Sequence, residues 1–296
     1  MRKVFVVLNA RAGTLLDRDP ADVSREVETA LQADGGNVEI VLEQGSAMVR
    51  AIERGAAGDY DTLIVGGGDG SMSCAANRLA GKSMALGVLP LGTINLLARD
   101  LGMPLELDKA LTALATAQPR KIDLAALNGR RFHSISGLGF FSQMARAREE
   151  ARDLPGRLLR LGAAAFRAFT RTGHFTLEFD IDGKARRMDA YAALVTCNRF
   201  GGEDWRRSAL DGGLLEIHIA EEEGALARLK VGADVLAGGW RDNDGIHSYT
   251  ARHVRIASPR GRAWVATDGE LRREQMPLDF TIEPGALTVL SPSPAH

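Results

Sequence analysis

The stretch LIVGGGDGSMS, Leu63–Ser73, decides the fold. Its apolar lead, Asp61–Val65, reads as a strand, and Ser71–Leu79 reads as a helix. Between them lie Gly66, Gly67, Gly68, Asp69 and Gly70, followed by Ser71, Met72 and Ser73. A strand that ends in glycines and opens a helix suits anion binding. Without Cβ atoms the backbone can approach a phosphate, and the first N–H groups of the helix point at it. Asp69 needs its own explanation among those amides. Either its carboxylate caps the helix that begins near Ser71, or Mg²⁺ sits between it and phosphate oxygens. The loop is neither G-x-G-x-x-G nor a Walker A sequence, since no Lys-Ser/Thr pair follows.

Outward from this loop the chain alternates. Lys3–Leu8, Asn37–Leu42 and Met84–Leu89 are further apolar strand candidates. Ala21–Ala33, Ser46–Gly55, Thr93–Leu101 and Leu105–Ala117 carry helical spacing. Apolar, non-alternating strands in a βαβα rhythm predict a parallel sheet covered on both faces. In such a sheet the loops at the strand C-termini share a crevice where ligands bind. Two more loops fall on that edge. One is Asn9, Ala10, Arg11, Ala12 and Gly13; the other is PLGTINLLARDLG, Pro90–Gly102. Gly92, Thr93 and Asn95 are expected to face phosphates or substrate, with Thr93 also a candidate helix N-cap and Leu96-Leu97 a candidate core anchor.

The character changes near Pro119. Asn128-Gly129 is a hairpin signal inside KIDLAALNGRRFHSISGLGFF. Phe175–Ile181, Arg187–Cys197, Leu214–Ala220, Ser248–Ala257, Ala263–Thr267, Leu278–Glu283 and Ala286–Leu290 follow as strand candidates. Residues 1–118 are therefore read as a Rossmann-like parallel α/β domain. Residues 119–296 are read as an antiparallel β-sandwich domain, with the C-terminal residues as candidates to return to the first. A helical interruption, Met144–Thr170, is rich in arginine and reads either as a solvated helix or as a basic amphipathic membrane contact. Trp205 is expected to be a packing anchor, and the scattered histidines to be structural or solvated.

Composition narrows the function. The net charge of −1 gives no case for nonspecific nucleic-acid binding. Two distant cysteines, Cys74 and Cys197, fit a reducing, cytoplasmic compartment and exclude a disulfide scaffold. No run is long and apolar enough for a transmembrane segment, so membrane contact is expected to be peripheral. Oligomeric state is not encoded in any motif, and a homodimer stays open.

Five motifs occur in a telling order: GGGDGS, PLGTINLLARDLG, KIDLAALNGRRFHSISGLGF, CNRFGGEDWRRSALDGGLLEI and ATDGE. Over nearly the whole chain this order resembles the bacterial diacylglycerol kinase-like lipid kinases, whose catalytic domain eukaryotic diacylglycerol, sphingosine and ceramide kinases share. The resemblance implies an ATP- and Mg²⁺-dependent transfer of the γ-phosphoryl group to a lipid hydroxyl, with the nucleotide in a cleft between an α/β domain and a β-sandwich. By resemblance Asn9–Gly13, Gly67–Ser73 and Thr93 hold ATP. Asp69 joins a Mg²⁺ and water network with Asp123 as partner, and Asp268 and Glu270 form the catalytic acidic pair. Glu270 is favoured as the base, with Asp268 orienting it or the metal; an Asp268-Gly269 hairpin turn is the plainer alternative. Several positions depart from the family pattern. NARAG stands for NPxSG, VLEQGS lacks a threonine, and GFFSQMA replaces GFDA. LDGG, Leu210–Gly213, replaces LDDG, so the family's structural cation loses its second Asp at Gly212 and is left with Asp211 as a substitute. Two alternatives remain: a soluble kinase of the NAD kinase type, and a catalytically inactive lipid- or nucleotide-binding protein.

Overall fold

The computed structural model describes residues 3–12, 19–32, 37–150, 173, 175–200, 206–221, 224 and 243–292. Gly13, Trp205 and the arginine-rich stretch beyond Glu150 lie outside the described residues. The chain forms two compact units, Met1–Leu124 with Pro284–His296, and Ala125–Glu283. Among the described residues no helix is long and apolar enough to cross a membrane.

The first unit is a parallel α/β layer structure. Its strands are β1 (Lys3–Asn9), β2 (Asn37–Glu43), β3 (Thr62–Gly67) and β4 (Ala85–Pro90). Its helices are α1 (Pro20–Gln32), α2 (Gly45–Ala57), α3 (Asp69–Leu79), α4 (Leu96–Asp100) and α5 (Leu107–Thr116). Strand order is β2-β1-β3-β4, every pair parallel. The far end of the long strand β15 (Leu278–Ser291) adds in parallel beside β4 through Val289 and Leu86. β3 and β4 are buried along their whole length, which is why they read as unbroken apolar runs. Met48, Ala51, Ile52, Gly55 and Ala56 fall on one buried stripe of α2 at helical spacing. Gly55 is small by necessity, because a Cβ there would stand 2.4 Å from the Phe5 ring. From β1 the chain steps outward to β2 and then returns across to β3. The order thus reverses between β1 and β3, and the loops after those two strands flank the switch point.

The second unit is antiparallel. It holds the end of β5 (Gln118–Leu127), then β6 (Arg130–Phe132), β7 (Ile135–Gly139), α6 (Phe140–Glu150), β8 (Phe175–Ile181) and β9 (Lys184–Cys197). After these come β10 (Leu215–Glu221), β11 (Ile246–Ala251), β12 (His253–Ala257), β13 (Arg262–Thr267), β14 (Glu270–Gln275) and the start of β15. Hydrogen-bonded order runs β14-β13-β7-β9-β8-β12-β15, with β10 and β11 branching from β9. The core centres on Phe132, Leu177, Val195, Ile217, Val254 and Phe280. Asn128 and Gly129 both take positive φ, as a two-residue I′ turn between β5 and β6 requires.

Three elements differ from the sequence expectation. The helix expected over Thr93–Leu101 is shorter, because Asn95 at φ 56° takes the cap position and helix begins only at Leu96. Ser248–Ala257 is not one strand; it breaks at Arg252 into β11 and β12, whose partners are β10 on one side and β8 and β15 on the other. The two candidates at Leu278–Glu283 and Ala286–Leu290 are one strand, β15, which passes through Gly285 at φ 60°.

Candidate functional site

In the first unit the loops that follow β3 and β4 touch. Leu91 donates its N–H to the Gly67 carbonyl, 3.2 Å. A Cβ on Gly92 would lie 2.4 Å from the Gly68 Cα, so the second loop needs glycine where the backbones cross, whereas a Cβ on Gly68 would meet Gly92 only at 3.4 Å. Gly66 and Gly67 are equally confined: a Cβ would meet Leu8 at 2.6 Å in the first case and Ser71 Oγ at 2.6 Å in the second. Room for a phosphate is therefore not the whole reason for the glycines; at Gly66, Gly67 and Gly92 the chain's own packing also favours them.

Asp69 is not the N-cap of its own helix. Helix α3 begins at Asp69 with Gly68, which has no side chain, as N-cap. The Asp69 carboxylate instead reaches across to α4. Oδ2 accepts the Asn95 N–H at 3.1 Å, and Oδ1 accepts the Leu96 N–H at 2.7 Å. Thr93 is exposed and is not the cap. Asn95 is buried and turns inward. Its Oδ1 accepts the Gly92 N–H at 2.9 Å and its Nδ2 donates to the Gly92 carbonyl at 2.8 Å. Asn95 thus shapes the loop rather than facing out of it. After β1, the Asn9 side chain accepts the Arg11 N–H at 3.0 Å, and the Ala12 N–H donates to the Asn9 carbonyl at 2.9 Å. Ala10 is held to Glu43 by its own N–H. Ser73 and Met72 of α3 are buried and Ser71 is half-buried. Asp123 is buried on β5 and accepts the Gly285 N–H at 2.8 Å.

In the second unit Asp268 and Glu270 do different work. Asp268 and Gly269 form the positive-φ turn between β13 and β14, with Thr267 paired to Glu270. Asp268 is only 1% exposed. Its carboxylate accepts backbone N–H groups from His133 at 2.8 Å, Ser134 at 3.0 Å and Ile135 at 3.2 Å. The His133 ring lies 3.4 Å away. This buried anchor fixes the tip of the hairpin.

Glu270 stands at the start of β14 with its side chain 40% exposed. Arg130 Nη2 donates to Oε2 at 2.6 Å, and Arg272 Nη2 to the same oxygen at 3.1 Å. Burial pushes the Glu270 carboxyl up, but hydrogen bonds and charge from Arg130 and then Arg272 together outweigh it and hold it below its ordinary range. The side chain is kept ionised. Sequence reasoning misses both arginines. Arg272 leaves a trace, because positions i and i+2 of a strand share a face; Arg130 leaves none.

Asp211 is exposed, in irregular chain between Leu210 and Leu214. A Cβ at Gly212 would lie 2.9 Å from Asn198 Oδ1, which accepts the Leu214 N–H at 3.4 Å. Glycine at 212 thus leaves the place to the Asn198 amide, while Asp211 faces solvent. Among the described residues no group of three or more His, Cys, Asp or Glu side chains could hold a metal ion by itself. A Mg²⁺ near Asp69 fits only with ligands from phosphate and water, the way Mg²⁺ is usually held.

A parallel sheet with glycine loops at its switch point, continued in the chain by an antiparallel β unit, is the architecture of the diacylglycerol kinase class. The comparisons agree. Residues 3–127 match the diacylglycerol kinase catalytic domain, and residues 135–291 match the YegS C-terminal NAD kinase beta sandwich-like domain. A probable lipid kinase YegS-like of Pseudomonas aeruginosa (strain UCBPP-PA14) is 31% identical over 313 residues, covering 98% of this chain and 95% of the relative. The diacylglycerol kinase of Bacillus subtilis (strain 168) is 29% identical over 218 residues, 70% of each chain. The crystal structure of a diacylglycerol kinase from Bacillus anthracis str. Sterne shares the fold with TM-score 0.73 at 19% identity, covering 99% of this chain and 97% of that one. The chain belongs to the diacylglycerol kinase-like lipid kinase family.

Proposed function

We propose that this chain is an ATP- and Mg²⁺-dependent kinase that transfers the γ-phosphoryl group to a hydroxyl of diacylglycerol or a related lipid at a membrane surface. The observation that carries this reading is the start of α3. It opens at the switch point of a parallel sheet with Gly68, which has no side chain, at its N-cap. Such an end offers N–H donors and a positive dipole to a phosphate.

In this reading Asn9–Ala12, Gly13, Gly66–Ser73, Gly92 and Thr93 hold the nucleotide, and Asn95 holds Gly92 in place for it. Asp69 serves twice. Its bonds to Asn95 and Leu96 lock the second loop onto the first, and its charge, with Asp123 as partner, favours Mg²⁺ beside the phosphates. When bound, that ion would neutralise phosphate charge. Glu270 accepts the hydrogen bond of the acceptor hydroxyl and finally its proton. A carboxylate held below its ordinary range is a weak base. Phosphoryl transfer asks mainly for positioning, so an ionised, doubly anchored acceptor suffices. Asp268, turned inward, acts through Glu270.

The test is mass spectrometry of a lipid panel incubated with purified protein and ATP·Mg²⁺, with a known lipid kinase run in parallel and NAD in a separate arm. A phosphorylated lipid that Asp69→Ala abolishes is expected. Phosphorylation of NAD instead, or no product while the control works, overturns the reading.

A further inference from the structure

The hairpin β13–β14 has two chemically distinct faces. Its register pairs Arg262 with Gln275, Trp264 with Arg273 and Ala266 with Leu271. Side chains alternate along a strand, so these six share one face. Ala263, Val265 and Thr267 share the other with Glu270, Arg272 and Glu274. Both carboxylates of the hairpin strands therefore lie on the Val265 face, and the Trp264 face has none.

Among the described residues, helix α6 packs at the Ala266 end of the Trp264 face. Gly137 pairs with Ala266, and a Cβ there would stand 2.6 Å from Phe141 Cβ at the start of α6. Beyond it Trp264 is 41% exposed. Arg262 and Arg273 beside it are exposed, as is Arg260 in the preceding turn. A recess of about 170 Å³ opens at the same place, lined by Ser142, Gln143, Arg260, Arg262, Trp264 and Met276 among others. A solvent-facing tryptophan has no gain from its position in water. Indole is favoured at the headgroup level of a bilayer, where one edge is apolar and the other wet. Guanidinium groups bind phosphate in bidentate fashion. The net charge of −1 supplies no general attraction to an anionic surface, so any such attraction must be local.

We propose that the Trp264 face of the β13–β14 hairpin seats the chain on an anionic phospholipid bilayer, with Trp264 in the headgroup layer and Arg260, Arg262 and Arg273 on lipid phosphates. The proposal rests on the reading that the acceptor is a bilayer lipid. It adds which surface meets that bilayer and which lipid charge it selects.

Flotation with phosphatidylcholine vesicles, with and without phosphatidylglycerol, tests it. Wild-type protein floats with the anionic vesicles, and added salt weakens this. A basic residue near such a surface is worth about fivefold in affinity, so R262E/R273E is expected to lose roughly 25-fold or more. Trp264→Ala is expected to lose several-fold, and the fluorescence blue shift that vesicles induce in the wild type should vanish in Trp264→Phe. Unchanged melting temperatures show that the variants fold; if the charge reversal does not fold, R262Q/R273Q replaces it. Variants that float like the wild type overturn the proposal. Phosphorylation of a short-chain diacylglycerol in free solution is measured alongside. Its retention in the variants separates docking from chemistry, and its absence in every protein overturns the kinase reading while the flotation result still judges this surface.

Discussion

Arg130 and Glu270 stand 140 positions apart in the chain and 2.6 Å apart in space. One guanidinium thereby fixes both the direction and the charge of the carboxylate proposed to receive the acceptor hydroxyl. Arg272 adds a second donor to the same oxygen, so Oε2 is bonded to protein and the group is oriented from two sides.

The first prediction follows from that pair. The Glu270 carboxyl lies below its ordinary range because the two arginines outweigh the effect of burial. The acid limb of kcat/KM should therefore fall below the ordinary glutamate range, about 4.3. A depressed folded pKa stabilises the fold above the unfolded pKa, and that contribution is lost as pH falls through the folded value. Arg130→Met leaves burial opposed by Arg272 alone, so the acid limb should move to higher pH, while Arg130→Lys should restore part of the shift. A pH–rate profile with an unmoved limb in Arg130→Met would show that this carboxylate does not govern the reaction.

Much of the first unit is legible in the sequence, and the reason is burial. β3 and β4 are buried on both faces, so they appear as apolar runs, and α2 shows its stripe at helical spacing. What escapes is anything decided by contacts far along the chain. Asp69 suggests a cap for its own helix, yet its carboxylate reaches N–H groups 26 and 27 residues away. Gly66 and Gly67 suggest open space, but Leu8 and Ser71 crowd a side chain there. Gly212 reads as a lost cation ligand, although in the fold it leaves room for Asn198. A strand or helix period registers neighbours two to four residues apart; these relationships have no period.

Asp69 has a structural and an electrostatic task, and two substitutions separate them. Asp69→Ala removes both acceptors for Asn95 and Leu96 and should cost about 2 kcal/mol of stability, in line with charge-assisted bonds at a helix start. Asp69→Asn keeps one acceptor oxygen and should cost about half as much. Both should lose at least about 100-fold in kcat, because neither carries the charge that favours Mg²⁺. Thermal melts beside single-turnover rates check this. If Asp69→Asn keeps its activity, the carboxylate is a loop fastener only.

Gly92 tests whether the touching loops matter. Gly92→Ala places a Cβ 2.4 Å from the Gly68 Cα, and backbone on backbone cannot yield without moving a loop. A loss of about 1–3 kcal/mol is expected, the usual cost of overpacking, together with weakened nucleotide binding. Gly102→Ala is the control. It has φ 71° but nothing within 4 Å, so it should cost about 1 kcal/mol of backbone strain and leave nucleotide affinity unchanged. Isothermal titration with ATP·Mg²⁺ distinguishes the two. Equal affinities in both variants would mean that the loop crossing does not shape the nucleotide site.

Asp268 tests the division of labour within the hairpin tip. Asp268→Ala leaves the backbone N–H groups of His133, Ser134 and Ile135 without their acceptor in a buried place. Unsatisfied buried donors cost about 1–3 kcal/mol each, less what water recovers, so a loss on the order of 3 kcal/mol is expected. The positive φ of 46° at this position adds a smaller penalty for alanine. Activity should fall with it, because the turn that carries Glu270 loses its anchor. Asp268→Asn can accept at only one oxygen; it should fall between the two in stability and keep measurable turnover. Glu270→Gln should show the opposite pattern, with stability close to wild type and turnover lost, since that side chain is partly exposed and bonded only through its outer oxygen to Arg130 and Arg272. Melting curves and initial rates for the three variants decide the matter. A stable but inactive Asp268→Ala would place Asp268 in the chemistry itself and remove the distinction between anchor and base.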